Sequence, residues 1–459
     1  MGVVVAAPVA VASGLRAKLA EQPAGVYLLF STELWERFSY YGMLGLMVLF
    51  MVAPVSAGGF GWDNAHVLRV FGLFLSSTWL APLLGGWVAD RLTGARRAVI
   101  LGCASLALGN FLLAYSALIP VATDNAPGLS FRDALLYAGL AWMVIGAGLF
   151  KSNVSVLMGS LFPQQDDPRR DFGFTVFFMG INVGALLAPL IAGTLGERVG
   201  WHWGFAVSGV GMLIGIAIFL KAQKALGNAG LRPGGKQAAM ARAATPEDVG
   251  RVATIGIFGI FATVFAVGLM QYGGLLNLFT AQNIDRTVDG FEIPTTWFLT
   301  LNPLFIVLLG PLVASHWDRR LRAHRGASST HKFMAGLLLM SAAFGLIGIA
   351  AAGASASSPP SWLWIVVFYF LLTIGELCIS PVGLALVSRL APLRWVGLLM
   401  GAWLLTNALG SWIAGELGVW AQHASPSFVF GALALVAAAA AAALWTLRFK
   451  LIALARSVP

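Results

Sequence analysis

The sequence predicts an all-α integral membrane protein, with twelve transmembrane helices in two six-helix bundles, and three observations carry that expectation. Of its 459 residues, 58% are hydrophobic and only 10% charged, too little polar material to cover a water-soluble fold of this size. Runs of about 20 apolar residues, the length that crosses about 30 Å of hydrocarbon, recur along the chain. One long polar stretch, residues 222–251, divides those runs six from six.

The runs fall at 24–53, 64–90, 96–119, 132–161, 171–197, 201–221, 252–281, 296–318, 329–352, 361–391, 394–419 and 427–448. Before them, residues 1–23 place an apolar stretch, Val3 to Ala12, ahead of Arg16 and Lys18. A signal peptide has its positive end first, so this segment reads as a cytoplasmic tail. The first bundle is then 24–221, the linker 222–251 with Pro233, Gly234, Gly235 and Pro246, the second bundle 252–448, and residues 449–459 a second tail.

Basic residues test this division. On one side lie Arg16 and Lys18; Arg91, Arg96 and Arg97; Arg169 and Arg170; the run from Lys221 to Arg251; Arg319, Arg320, Arg322, Arg325 and Lys332; Arg389 and Arg394; and Arg448, Lys450 and Arg456. The opposite connections hold only Arg132, Arg198 and Arg286. That asymmetry predicts cytoplasmic termini and an even number of spans. The net charge of +10 lies in these clusters and forms no continuous basic face, so nucleic acid is not an expected partner. Cys103 and Cys378 sit in apolar runs and read as small apolar fillers, with no support for a disulfide framework.

Six spans plus six around a cytoplasmic linker is the layout of the major facilitator fold, whose substrate site lies at midplane between the halves. A twelve-span channel or membrane enzyme shares the layout. Between the second and third spans, Gly85-Gly86-Trp87-Val88-Ala89-Asp90-Arg91-Leu92-Thr93-Gly94-Ala95-Arg96-Arg97 resembles that superfamily's cytoplasmic signature. There an Asp, a Gly turn and paired Arg latch a helix end to a neighbour, here through Gly86, Asp90, Arg91, Gly94, Arg96 and Arg97.

An ionised side chain near mid-bilayer costs a few kcal/mol or more and needs a partner or a wet cavity. Glu33, Glu36, Arg37, Tyr40 and Tyr41 in the first span are spaced to form one continuous helical stripe, expected to face a cavity. Glu33 and Arg37 can pair, and Glu36 beside a cation can hold or release a proton. A structural ion cluster that only steadies packing is the plainer alternative. Lys151 lies in the fourth span, Asn182 in the fifth and Glu376 in the tenth. Lys151 and Glu376 put a cation and an anion on opposite halves, a pair that a zwitterion could bridge.

Glu33-Leu34-Trp35-Glu36-Arg37-Phe38-Ser39-Tyr40-Tyr41-Gly42 resembles the ExxERFxYYG signature of proton-coupled oligopeptide transporters, a branch of the major facilitators. Phe174 to Gly184, Trp201 to Phe205, Leu301 to Phe305, Gly375 to Pro381 and Gly401 to Thr406 are similar to that family's fifth, sixth, eighth, tenth and eleventh helices. The resemblance implies that Arg37, Tyr40, Tyr41, Lys151, Asn182, Asn302 and Trp403 line a peptide site. It further implies that Glu376 takes the peptide ammonium, that Arg37 and Lys151 take the carboxylate, and that Glu33, Glu36 and Lys151 couple proton movement. For an isolated Asn or Trp, helix packing is an equal alternative.

The chain also departs from the family. An Arg usual seven positions after Arg37 is Leu44, and Leu269 and Met270 stand where the seventh helix usually carries acids. Trp79 replaces a frequent Tyr, and Asn407 an occasional Ser, both in the expected pocket. His66 and Arg69 at the outer end of the second span, and Glu416 in the eleventh, are candidates for a substitute extracellular gate in which His66 or Arg69 meets Glu416. Protonation of His66 would alter such a contact, so His66 joins the proton-coupling candidates. Solvated interface charges are the competing reading of all three.

The expected function is proton-coupled import of di- and tripeptides by alternating access, by a monomer in the bacterial inner membrane. Another small metabolite or anion on the same fold is the alternative cargo, and a peptide-sensing receptor a more distant one. No metal, nucleotide or redox cofactor is implied, since no phosphate-binding glycine loop or His ligand spacing is present. No hydrolytic residues are found for an enzyme.

Overall fold

A computed structural model describes residues 18–120, 129–162, 167–231, 246–322, 328–354, 358–392 and 395–456. Among the described residues there are twelve long helices: α1 (Ala24–Val52), α2 (Asn64–Val88), α3 (Ala95–Leu118), α4 (Phe131–Ser160), α5 (Arg170–Ala188), α6 (Trp201–Ala222), α7 (Pro246–Leu269), α8 (Leu301–Arg322), α9 (Ser329–Ala352), α10 (Leu363–Leu390), α11 (Val396–Ala421) and α12 (Pro426–Arg456). Among the described residues, eleven helical spans are long and apolar enough to cross a membrane. The remaining helix is α1, whose length suffices but whose polar stretch from Glu33 to Tyr41 lowers its hydropathy. The chain is a multi-pass membrane protein.

Local sequence explains several helix starts. Asp63 accepts from the His66 backbone N–H at 3.0 Å and caps α2. Ser130 and Asp133 form a reciprocal capping box at α4. Gly94 adopts φ +75° in the turn between α2 and α3, a conformation that a side chain would resist.

Several elements differ from the expected simple spans. The fifth continues beyond α5 through π turns Pro189–Gly193 and Leu195–Val199. The seventh breaks at a 3-10 turn, Met270–Gly273, and resumes as a short helix, Leu275–Asn283. α12 runs eight residues past its expected end, because the basic residues near its C-terminus do not stop a helix. The connection between the seventh span and α8 also carries a short hairpin, β1 (Thr287–Val288) and β2 (Phe291–Glu292). Its Asp289-Gly290 turn, at φ 49° and 81°, is a common two-residue hairpin signal. Much of the expected linker, residues 232–245, lies outside the described residues, as do Arg16, Arg325 and Arg394. α7 begins within that expected linker.

Buried side chains gather into two clusters, one built mainly on α1–α6 and the other on α7–α12. Within the first, α1 packs on α5 and α6, α3 on α4 and α6, and α2 on α4; within the second, α9 packs on α10 and α12, α11 on α7, and α8 on α10. α2 against α11 and α5 against α8 join the halves. A Cβ on Gly72 would lie 2.6 Å from the Gly415 Cα, so two glycines let α2 and α11 meet backbone to backbone. Hydrogen bonds between the halves gather at the distal end, opposite the two chain termini, including Asn64 to Gln422 at 3.1 Å and Asn277 to the Gly45 carbonyl at 3.2 Å.

Candidate substrate and proton site

The site begins with three charges on α1. Arg37 Nε lies 3.0 Å from Glu33 Oε1 and 2.5 Å from Glu36 Oε2. Glu33, Glu36, Arg37 and Tyr40 are all buried, while Tyr41 is half-buried. The expected cavity-facing stripe is therefore corrected: its acids are shut into the bundle, and only its last turn is partly open. Both Glu36 oxygens, Glu33 Oε2 and Arg37 Nε lack hydrogen-bond partners of good geometry. The trio is consequently held by charge rather than by a directional network. Gly184 on α5 makes room for it, since a Cβ there would approach the Arg37 Cβ to 2.8 Å.

Lys151 on α4 is half-buried and has no carboxylate within 4.0 Å among the described residues. Its ammonium instead lies 4.7 Å from the Tyr40 ring centroid and 4.9 Å from that of Trp79. Arg37 approaches the same Tyr40 ring at 5.6 Å. Tyr40 is steadied by a 3.4 Å contact between its hydroxyl and Thr78 Oγ1, and by edge-on packing with Tyr41. Trp79 thus gives the lysine a second aromatic face. Such contacts contribute about 0.5–2 kcal/mol and leave a cation available to an incoming anion.

The second half supplies the opposite charge. Glu376 on α10 is half-buried and accepts from Asn302 Nδ2 at 2.8 Å; the same amide is 3.1 Å from Thr373 Oγ1. Asn302 therefore orients Glu376 as well as standing in the expected lining. Asn182 is buried and donates to the Phe178 carbonyl of its own helix at 2.9 Å. Trp403 is buried, with its indole packed into the space left by Gly383, while Asn407 one turn on is half-buried. The packing alternative accounts for what is seen of Asn182 and Trp403.

At the distal end Arg69 meets Glu416 in a two-pronged pair, Nε to Oε1 at 3.1 Å and Nη2 to Oε2 at 3.3 Å. His66 takes a different partner, the Tyr137 hydroxyl at 3.2 Å, and packs edge-on against Trp62. Of the two candidates for Glu416, Arg69 is thus the one in contact, because its longer side chain spans the α2–α11 gap. Leu44, Leu269 and Met270 form apolar packing between α1 and the seventh span. Sequence reasoning missed Glu197, which accepts from the backbone N–H groups of Thr295 and Thr296, each at 2.9 Å, across the two halves. An acid at the very end of the fifth span was the available signal.

At the opposite end, Arg96 is buried and donates to the Ala229 and Gly227 carbonyls, both at 2.5 Å. It latches the α2–α3 turn to the chain just after α6. Arg91 lies over Trp87 at 5.4 Å, while Asp90 and Arg97 are exposed and Gly86 half-buried.

An α1 ion trio, a lysine on α4 and a carboxylate on α10, set in two packed bundles, define a secondary transporter of the major facilitator type. A family model described as the POT family matches residues 96–234 and 222–434, and the chain belongs to that family. It is 35% identical to the peptide transporter YePEPT of Yersinia enterocolitica over 85% of this chain and 86% of that one. It is 32% identical to dipeptide and tripeptide permease A of Erwinia pyrifoliae, over 86% and 85% of the two chains. Its fold is similar to a crystal structure of a peptide transporter POT in complex with sulfate (TM-score 0.85, 30% identity, 94% and 96% covered). It is likewise similar to a POT family transporter in complex with 5-aminolevulinic acid (TM-score 0.85, 26% identity, 94% and 97% covered).

Proposed function

We propose that this protein imports di- and tripeptides together with protons by alternating access, with the peptide held between the two bundles. The observation that carries the reading is the division of unlike charge: Lys151, held between the Tyr40 and Trp79 rings, on one half, and Glu376, oriented by Asn302, on the other. A short zwitterionic peptide presents a carboxylate to the first and an ammonium to the second. A simple anion has no use for Glu376. The names of the relatives, a peptide transporter and a dipeptide and tripeptide permease, support the same cargo.

Proton coupling follows from the trio. Arg37 lies between Glu33 and Glu36 and balances their charge. A peptide carboxylate drawing on Arg37 and Lys151 weakens that hold, so peptide and proton binding favour each other. Tyr40, Tyr41 and Trp79 offer apolar faces suited to varied side chains. With the termini cytoplasmic, as the basic residues indicate, the distal contacts close the extracellular side, and Arg69–Glu416 is one of them. Residues 24–221 and 252–448 would act as the rocking units of a monomer in the inner membrane.

The test is uptake of labelled dipeptides into liposomes holding purified protein, with and without an inward proton gradient. Gradient-stimulated uptake is expected, and its absence across a varied peptide set would rule the function out. Glu36→Gln should abolish gradient-driven accumulation while sparing peptide exchange.

A further inference from the structure

Alternating access requires the distal end to open, and Glu197 makes a connection there that is more buried than the exposed Arg69–Glu416 pair. Glu197 lies in the Leu195–Val199 turn that ends the fifth span. Its Oε2 accepts from the Thr295 N–H at 2.9 Å, and its Oε1 from the Thr296 N–H at 2.9 Å and the Thr296 hydroxyl at 2.6 Å. Thr295 and Thr296 are 2% and 0% exposed and open the turn Thr295–Thr300 that leads into α8. One carboxylate of the first half therefore satisfies two otherwise unpaired backbone donors of the second.

Packing makes this contact a socket. A Cβ on Gly193 would lie 2.7 Å from the Thr296 Cβ, and one on Gly45 would lie 3.3 Å from its Cγ2. The Thr296 hydroxyl also lies 3.5 Å from the Pro189 carbonyl, and Trp297 Nε1 donates to Thr194 Oγ1 at 2.8 Å. Thr296 is thus a knob from the second half seated in a glycine-lined hole of the first.

Glu197 has no cation within 4.0 Å among the described residues, so neutral donors hold it. Adjacent Arg198 donates to the Glu292 carbonyl and lies over the Phe291 ring at 5.3 Å. Arg286 pairs with Glu292 at 2.6 Å. Asp285 and Asp289 flank β1, and the His202 ring on α6 packs against Trp203. The seventh span meets this region through the neutral Asn277, and α1 through Gly45.

We propose that Glu197 is a proton-releasable latch on the distal gate. Ionised, it accepts all three hydrogen bonds and keeps the fifth span joined to α8. A proton on Oε2 makes that oxygen a donor facing the Thr295 N–H, and a proton on Oε1 turns the Thr296 hydroxyl away to its longer 3.5 Å contact with the Pro189 carbonyl. A buried N–H then loses its partner, or the hydroxyl keeps a longer one, and separation of the halves exposes the group to water. This supplies a titratable element where Leu44, Leu269 and Met270 leave only apolar contact. The proposal rests on the transporter reading only in requiring that the distal end open.

The test places spin labels at Phe131→Cys and Phe428→Cys, exposed on opposite halves of the distal end, in a Cys103→Ala, Cys378→Ala background, and measures their separation without peptide. Lowering the pH from about 7.5 to about 3.5, past the ordinary glutamate value of about 4.3, should add a longer distance in the otherwise unchanged chain. Glu197→Gln should show that longer distance already at the higher pH, with its population raised about tenfold, a shift of about 1.4 kcal/mol, and should not respond further. Thr296→Val, which keeps the N–H and volume but removes the hydroxyl, should open less and remain pH-responsive. Monodisperse elution and an unshifted thermal midpoint establish that each variant is folded. A Glu197→Gln protein that stays closed at the higher pH, or that responds to pH as its parent does, overturns the latch. Because no peptide enters the measurement, a failure of peptide uptake leaves this outcome separately readable.

Discussion

The α1 trio and the Arg69–Glu416 pair use the same groups in opposite surroundings. In the trio the side chains are 9% exposed for Arg37, 4% for Glu33 and 0% for Glu36; in the distal pair they are 51% and 39%. Water screens the second and not the first. The difference teaches that an ion pair's weight in this protein follows its depth. The buried charges must be satisfied together, whereas the exposed pair can break and reform at little cost as the distal end moves.

The largest effect expected from this comparison is at Arg37. Arg37→Gln leaves two carboxylates buried without a cation and should lower stability by about 3–5 kcal/mol, read as denaturant or thermal unfolding in detergent. Adding Glu33→Gln and Glu36→Gln should restore most of that loss while leaving gradient-driven transport absent. A triple variant as unstable as the single one would break the idea that charge alone holds the trio.

The next effect falls on the opposite half. Asn302→Leu removes the 2.8 Å donor to Glu376, a hydrogen bond to a charged group with a net contribution of about 1.5–3 kcal/mol. Peptide affinity should fall about tenfold or more, measured as competition for labelled dipeptide, and blocking the peptide's amino group should erase the difference. Trp79→Leu strips one of the two rings beside Lys151 and should change affinity for the peptide carboxylate by less than about thirtyfold, from a contact of about 0.5–2 kcal/mol. Trp79→Tyr should do less, since it retains an aromatic face.

The smallest effect belongs to the exposed pair. Arg69→Ala and Glu416→Ala, with the double variant completing the cycle, should yield a coupling of about 0–1 kcal/mol in stability. The coupling should fade further at high salt. A coupling several times larger would mean that the distal end keeps water from this pair, and the contrast with α1 would fail.

Much of this was legible in the chain itself. The i, i+3, i+4 placement of Glu33, Glu36 and Arg37 foretold their meeting, because helix geometry alone brings such positions together. That they would be buried was not legible, since periodicity gives a stripe without saying what covers it; α5 and α6 do. His66 and Arg69 share a helical face and looked equivalent toward Glu416, yet reach and neighbours separate them: one finds Tyr137, the other crosses to α11. The Asp289-Gly290 hairpin had a local signal that the search for apolar runs passed over.

By itself the sequence determined the membrane class, the twelve spans, the division into halves and the chemical identity of the charged groups. Apolar run length, charge asymmetry and helical spacing are local properties, set by bilayer thickness and backbone geometry. Only the tertiary structure decided the partners: Trp79 with Tyr40 around Lys151, Asn302 with Glu376, Arg69 with Glu416, and Glu197 with Thr295 and Thr296. These contacts join separate helices, and for the last two separate halves. Their distances depend on how closely glycine-bearing surfaces let the backbones approach, a property of packed pairs that no single helix contains.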